Sequence, residues 1–241
     1  MIMFKLNIKE QLYRILFKGY HFEPTYKGPV LTLGGGGRHA PYDVAIDVLP
    51  QHAILYSFGL GDEIEFEEEM MKRYGVEVWG YDPMPKSADF ILNKNLDNEQ
   101  FHFYQKALTT NDGTGKCYLP MNESYISGSL RKDRVGWQQL SDKYISVETH
   151  SLQTIMKQNG HNHIDYLKLC VEGMEFEICD DILNNNISIS QLAVCFCGKS
   201  TKGNYYREKE LACKMIKSGY SCLPYSHGAH VTFIKDYGVS M

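Results

Sequence analysis

No apolar run in this 241-residue sequence approaches the roughly 20 residues that a membrane-spanning helix needs. A basic excess is missing too: the formal net charge is −4, which leaves no electrostatic footprint for nucleic acid. The opening stretch MIMFKLNIKEQLYRILFKGYHF has neither a long apolar core nor a small-residue cleavage site, so no signal peptide is expected. Seven cysteines, an odd number without regular spacing and with no Cys-x-x-Cys pair, fit a reducing compartment, and the cytoplasm is the expected location. Internal repeats and low-complexity tracts are absent. What is present is mixed charge and average apolar content, the composition of a soluble globular protein with a full core.

Phe4, Ile8, Leu12 and Ile15 recur at helical spacing, which predicts an N-terminal helix docked on the domain; a helix lying on a membrane surface is the weaker reading. LGGGGRHAPYD (33–43) reads as a flexible linker, or else a lid over a ligand. The expected division is therefore 1–40, an N-terminal helix and glycine-rich loop, and 41–241, the main domain. Beyond the linker, strand and helix signals alternate. AILYSF, VEVWGYD, FHFYQKALT, IDYLKLCV and QLAVCFC read as strands. Residues 62–74, the segment ending at Gly160, and EKELACKMIKSGY read as helices, and SCLPYSHGAHVTFI as an antiparallel hairpin. The expected fold class is α/β: a mostly parallel Rossmann-like sheet with helices on both faces and a C-terminal antiparallel hairpin.

In such sheets ligands bind at the carboxyl ends of the strands, where strand order switches. The first strand ends in Ser57-Phe58-Gly59-Leu60-Gly61, and Asp82 closes the next strand 21 positions after Gly61. That spacing suits a carboxylate accepting hydrogen bonds from ribose hydroxyls. The third glycine of a dinucleotide fingerprint is missing, since position 64 is Ile. The following helix instead opens with Asp62, Glu63, Glu65, Glu67, Glu68 and Glu69. Such acids oppose a pyrophosphate at a helix N-terminus. They tolerate S-adenosylmethionine, whose sulfonium and ammonium are cationic. The acids also suit a solvated face that complements the helix dipole.

Three segments resemble the FkbM-like family of S-adenosylmethionine-dependent methyltransferases, in particular a branch with a YSFGxG first motif. They are ILYSFGLGDEIEFEEEMMKRYGVEVWGYDPMPKS, VETHSLQTIMKQNGHNHIDYLKLCVEGMEFEI and GYSCLPYSHGAHVTFI, which together span about residues 53–235. The resemblance implies a Rossmann-like methyltransferase sheet that binds S-adenosylmethionine. It implies that Ser57, Phe58, Gly59, Leu60 and Gly61 shape the cofactor loop, that Asp82 takes the ribose, and that Pro83 and Ala107 lie beside it. It also implies transfer to a hydroxyl of a small molecule or glycan.

The chain departs from that pattern where the family has Asp in KmDiEG and here Cys170 stands. VCFC puts Cys195 and Cys197 in place of vEfH, and His230 replaces a Glu of the last hairpin. Three readings follow. Lys168, Glu172, Cys170 or His230 assists the acceptor; or Cys170, Cys195 and Cys197 hold a soft metal with His163 or His230; or the fold is catalytically silent and acts as a cofactor-binding or interaction module. Cys117, Cys179, Cys213 and Cys222 read as packing residues. His161 and His163 read as solvated loop histidines. In the segment 124–140, Arg131, Arg134 and Trp137 are candidates to contact a sugar or an acid, and Tyr205, Tyr206 and Arg207 raise the same question.

Overall fold

The computed structural model describes residues 25–37, 40–97, 99–134, 139–196, 202–223 and 230–235, with backbone alone for 202–205. Along these residues the chain forms β1 (Val30–Leu33), β2 (Tyr42–Ala45), β3 (Ile54–Phe58), α1 (Glu65–Tyr74), β4 (Glu77–Tyr81) and α2 (Pro85–Asn93). It continues through β5 (Phe101–Tyr104), β6 (Ala107–Thr109), β7 (Gly113–Pro120), β8 (Leu140–Ser151), α3 (Leu152–Asn159) and β9 (Ile164–Leu169). The remaining elements are α4 (Glu175–Asn184), β10 (Ile189–Cys195), α5 (Lys202–Lys217), β11 (Tyr220–Leu223) and β12 (His230–Lys235). The expected N-terminal helix lies outside the described residues.

The central sheet has the order β11-β12-β10-β9-β3-β4-β5. All its strands are parallel except β12, which runs antiparallel to both β10 and β11. The expected C-terminal hairpin is present in that pair. Its middle strands are buried along almost their whole length, which is why ILYSF and ISQLAVC are near-continuous apolar runs. From β3 the chain builds outward through β4 and β5, then returns to place β9 on the other side of β3. The strand order therefore reverses between β3 and β9, and a crevice opens at their carboxyl ends.

Side chains of a strand alternate between faces. One face of the sheet carries Tyr56, Phe58, Leu167 and Leu169 against α3, α4 and α5, through residues such as Ile155, Ile178 and Met215. The other carries Leu55 and Tyr166 against α1, α2 and the β1–β2 hairpin, through Phe66, Met70, Ile91, Leu33 and Val44. Helices lie on both faces, as the alternating pattern predicts.

Two expectations give way. The glycine-rich stretch 33–43 connects an antiparallel hairpin, β1–β2, that is packed on the sheet, so it is no tether in this structure. Buried side chains pin that hairpin by its backbone. The Gln191 amide accepts from the Ala45 N–H (2.8 Å) and donates to the Ala45 carbonyl (3.0 Å), and the Tyr166 hydroxyl donates to the Asp43 carbonyl (2.9 Å). FHFYQKALT, read as one strand, divides into β5 and β6. Gln105 and Lys106 turn the chain out of the main sheet, and β6 joins a second sheet of order β6-β8-β7.

Polar residues on buried strands need partners, and here they find a shared one. Ser57 on β3 and Lys168 on β9 are register neighbours. The Ser57 hydroxyl donates to Glu67 Oε1 (2.5 Å), and Lys168 Nζ donates to the same oxygen (2.6 Å). Glu67, from α1, has no solvent exposure. The trio thus locks helix α1 to both strands that flank the crevice.

Breaking a buried ion pair by removing one partner costs about 3–5 kcal/mol, because the other charge stays buried. Lys168→Ala is expected to lose that much stability in urea unfolding, and Lys168→Met combined with Glu67→Gln to regain most of it. A loss of under about 1 kcal/mol for the single variant counts against the clamp.

Candidate functional site

At the carboxyl edge of the sheet the strands end level with one another. Phe58 pairs with Tyr81 on one side and Leu169 on the other, and Leu169 with Val194. One residue further on, Asp82, Gly59, Cys170 and Cys195 form a row, and Cys195 pairs with His230 on β12. Backbone bonds carry the pairing into this row: the Gly59 N–H donates to the Tyr81 carbonyl and the Cys170 N–H to the Phe58 carbonyl, both at 2.9 Å.

Gly59 is forced by contact as well as conformation. Its φ is +81°, and a Cβ there would stand 1.9 Å from the Cys170 carbonyl oxygen. Gly61, also left-handed, has nothing within 4 Å of where its Cβ would be, so its bare face borders open space. That space is an open cleft at the carboxyl edge of the sheet. Phe58, Gly59, Gly61, Asp82, Pro83 and Ala107 all line it, so six of the eight residues expected around a cofactor converge on one cavity. Ser57 is buried in the Glu67 clamp instead, and Leu60 lines a smaller neighbouring cavity beneath the β1–β2 connection.

Asp82 is 5% exposed. Oδ2 accepts from the Gly61 N–H and Oδ1 from the Met84 N–H, each at 2.9 Å. Burial pushes its carboxyl up, and these backbone donors pull it back. The carboxylate therefore holds the glycine turn and the start of α2 in place while lining the cleft. Ser87 and the Leu60 backbone also favour its charged form.

The four residues expected to assist chemistry are placed differently from one another. Glu172 lines the main cleft, in the turn after β9, with a left-handed φ of 56°. Arg134 Nη1 donates to its Oε2, and the Ser129 hydroxyl to its carbonyl (2.6 Å). Burial pushes the Glu172 carboxyl up to about 7; Cys170 adds to this and Arg134 opposes it. Cys170 borders both cavities. Lys168 reaches only the smaller one, with its ammonium committed to Glu67 and 5.1 Å from the centre of the Tyr42 ring. His230 lines neither. It stacks on Tyr42 (ring centroids 4.0 Å apart), its Nδ1 bonds the Pro41 carbonyl (3.2 Å), and burial lowers its pKa.

Sequence reasoning missed several participants. Glu67 was hidden among six acids that looked alike. Glu65 accepts from the Gly36 and Gly37 amides (2.7 and 3.2 Å), and Glu68 pairs with Lys94 (2.9 Å), so much of the charge at this helix entrance is answered locally. Cys117, read as packing, is buried but lines the cleft, whereas Cys213 is exposed; Cys179 and Cys222 lie in the core. Arg131 pairs with Asp133 and Glu177 rather than facing the cleft. Tyr206 is exposed, and Arg207 covers the Phe176 ring, 4.1 Å from its centre. His161 bonds the Tyr56 hydroxyl (2.8 Å) and His163 bonds Ser188 and Ser190 (2.7 and 2.9 Å), both at the opposite end of β9 from the cleft. Cys197, Trp137 and the side chain of Tyr205 fall outside the described residues. Among those described, no three His, Cys, Asp or Glu side chains are grouped to hold a metal, and no helix is long and apolar enough to cross a membrane.

No curated protein matches the sequence. Similar solved structures include the methyltransferase FkbM of Methylobacillus flagellatus KT, at 12% identity and a TM-score of 0.46, over 75% of this chain and 43% of that one. This chain thus spans less than half of that protein's length. Others are M. capricolum TrmK in complex with S-adenosylhomocysteine (12% identity, TM-score 0.40, 79% and 67% of the two chains) and Aeropyrum pernix fibrillarin with natively bound S-adenosylmethionine (10%, 0.41, 77% and 66%). The methyltransferase FkbM domain itself matches residues 20–241. With that match covering nearly the whole sequence, the chain belongs to the FkbM methyltransferase family, whose cofactor is S-adenosylmethionine.

Proposed function

We propose that the protein methylates a hydroxyl of a small molecule or glycan, with the cofactor in the main cleft and Glu172 as the general base. The observation that carries this reading is the shared cavity: Asp82, Gly59, Gly61 and Glu172 line one space at the point where strand order reverses. A bare glycine face borders the cleft and a strand-end carboxylate lines it, which supports an adenosyl group there.

When bound, S-adenosylmethionine supplies a methyl group on a positively charged sulfur. The chain's part is then to hold, align and deprotonate. Asp82 accepts hydrogen bonds from the ribose hydroxyls, Gly59 and Gly61 let the backbone approach, and Pro83 and Ala107 give apolar contact. A hydroxyl is a poor nucleophile until its proton has somewhere to go. Glu172, with a carboxyl near 7, accepts that proton at neutral pH, and Ser127 to Leu130 form the cleft wall beside it that positions the acceptor.

One observation favours a second reading, a cofactor-binding protein without turnover: Arg134 already engages the Glu172 carboxylate. Titration with S-adenosylmethionine, followed by assay for S-adenosylhomocysteine on a panel of hydroxylated small molecules and glycans, separates the two. Binding without any transfer favours the silent protein, and no binding removes both.

Asp82→Ala is expected to weaken cofactor affinity by about 1–3 kcal/mol, the loss of a charge-assisted bond. Calorimetry giving an unchanged Kd removes Asp82 from the ribose role.

The base form of Glu172 is the ionised one, so turnover is expected to rise with pH and level off above about 7. Glu172→Gln should lower kcat by about a hundredfold or more and abolish that limb. A Gln variant that keeps the same pH profile assigns the limb to another group.

A further inference from the structure

Cys170 and Cys195 stand level on neighbouring parallel strands, one step beyond the Leu169–Val194 pair. They face the same side. Lys168 and Ala193, two residues earlier on each strand, are themselves a register pair, and side-chain direction repeats every second residue. Neighbouring strands run about 4.8 Å apart, within the roughly 4.4–6.8 Å between Cα atoms that a disulfide spans. Cys170 shares the smaller cavity with the β1–β2 connection, and the described cysteines form no disulfide.

We propose that Cys170 and Cys195 are a dithiol modification site that a peroxide oxidises reversibly to a disulfide. Access orders the two sulfurs. Cys170 borders both cavities, whereas Cys195 is 8% exposed and lines neither. The Cys170 thiolate attacks one peroxide oxygen, the O–O bond breaks, and sulfenic acid forms with loss of one water or alcohol. The Cys195 sulfur then attacks the sulfenic sulfur, the S–S bond forms, and a second water leaves. Each sulfur gives up one electron and the peroxide takes both; the two thiol protons end in the departing molecules.

A proton acceptor stands in the same row. His230 is the register partner of Cys195. A carbonyl can only accept, so Nδ1–H must be the donor to Pro41, which leaves Nε2 as the basic nitrogen of the neutral ring. Burial favours that neutral form.

The bond has a mechanical consequence, which rests on reading the main cleft as the cofactor site. Cβ atoms of a disulfide are about 3.5–4.5 Å apart, closer than the strand spacing, so oxidation draws Cys170 towards β10. The two backbones run close, leaving no room for even a Cβ on Gly59 beside the Cys170 carbonyl, so the displacement passes to the cofactor loop.

Hydrogen peroxide treatment of the full chain, non-reducing digestion and mass spectrometry test the site. The expected product is a Cys170–Cys195 linkage, lighter by two hydrogens, that dithiothreitol reverses. Because Cys195 and Cys197 share a short segment, Cys197→Ser should keep the linkage and Cys195→Ser should lose it. Absence of the linkage, or its survival in Cys195→Ser, overturns the proposal. In the wild type, oxidation should weaken S-adenosylmethionine binding by about fivefold or more, the equivalent of about one hydrogen bond, and peroxide should leave the affinity of Cys195→Ser where it was. A linked protein with undiminished affinity refutes the mechanical coupling. Reduced protein that does not bind the cofactor overturns the cleft assignment instead, while the mapping still decides the dithiol.

Discussion

The structure is organised around one buried carboxylate. Glu67 comes from the helix that follows the glycine turn, and the two groups that reach its Oε1 lie on β3 and β9, the strands between which the sheet changes direction. At this reversal the backbone pairing that holds the crevice walls together runs only one residue past the strand ends, through the Gly59 and Cys170 amides. A charge with no access to water takes over that task, since neither Ser57 nor Lys168 can leave without stranding it. The glycine turn is thereby held between Ser57 on one side and α1 on the other.

Around that clamp the polar chemistry is drawn out along the sheet's edge. Asp82, Gly59, Cys170, Cys195 and His230 occupy consecutive strands at one level, and the apolar row behind them, Tyr81, Phe58, Leu169, Val194 and Val231, belongs to the core. The β1–β2 hairpin covers the His230 end of the row. The connection between β7 and β8 covers the region near Glu172 through Arg134 and Ser129. Both covers are additions to the parallel sheet, and they leave open the stretch between Asp82 and Glu172.

Much of this was legible in the sequence, for reasons that can be named. Near-continuous apolar runs ending in Gly or Asp identify central parallel strands and their functional ends, and Gly59, Gly61 and Asp82 follow from position alone. Helices α2 and α4 were not read. Pro85 at the start of the first masks its pattern, and the second, EFEICDDILN, mixes acids with apolar residues too evenly for a clear face. The glycine run suggested a tether because glycine signals looseness, yet here it lets backbone amides close on Glu65. Glu67 carried a signal that went unused: a lysine in the middle of IDYLKL and a serine in ILYSF require an acid between them. Arg134 was read as a contact for a sugar or an acid, but its acid is Glu172 of this chain, 38 residues away, and no periodicity connects them.

The contact between Gly59 and the Cys170 carbonyl bears on communication within the protein. The two turns pack closely enough that a Cβ on Gly59 would meet that carbonyl; one borders the cleft beside Asp82 and the other leads to Glu172 two residues on. Were ligands to press on both turns, thermodynamic reciprocity would require the influence of each on the other to be equal in both directions. On the proposed placement of cofactor and acceptor, the two would then bind with mutual dependence.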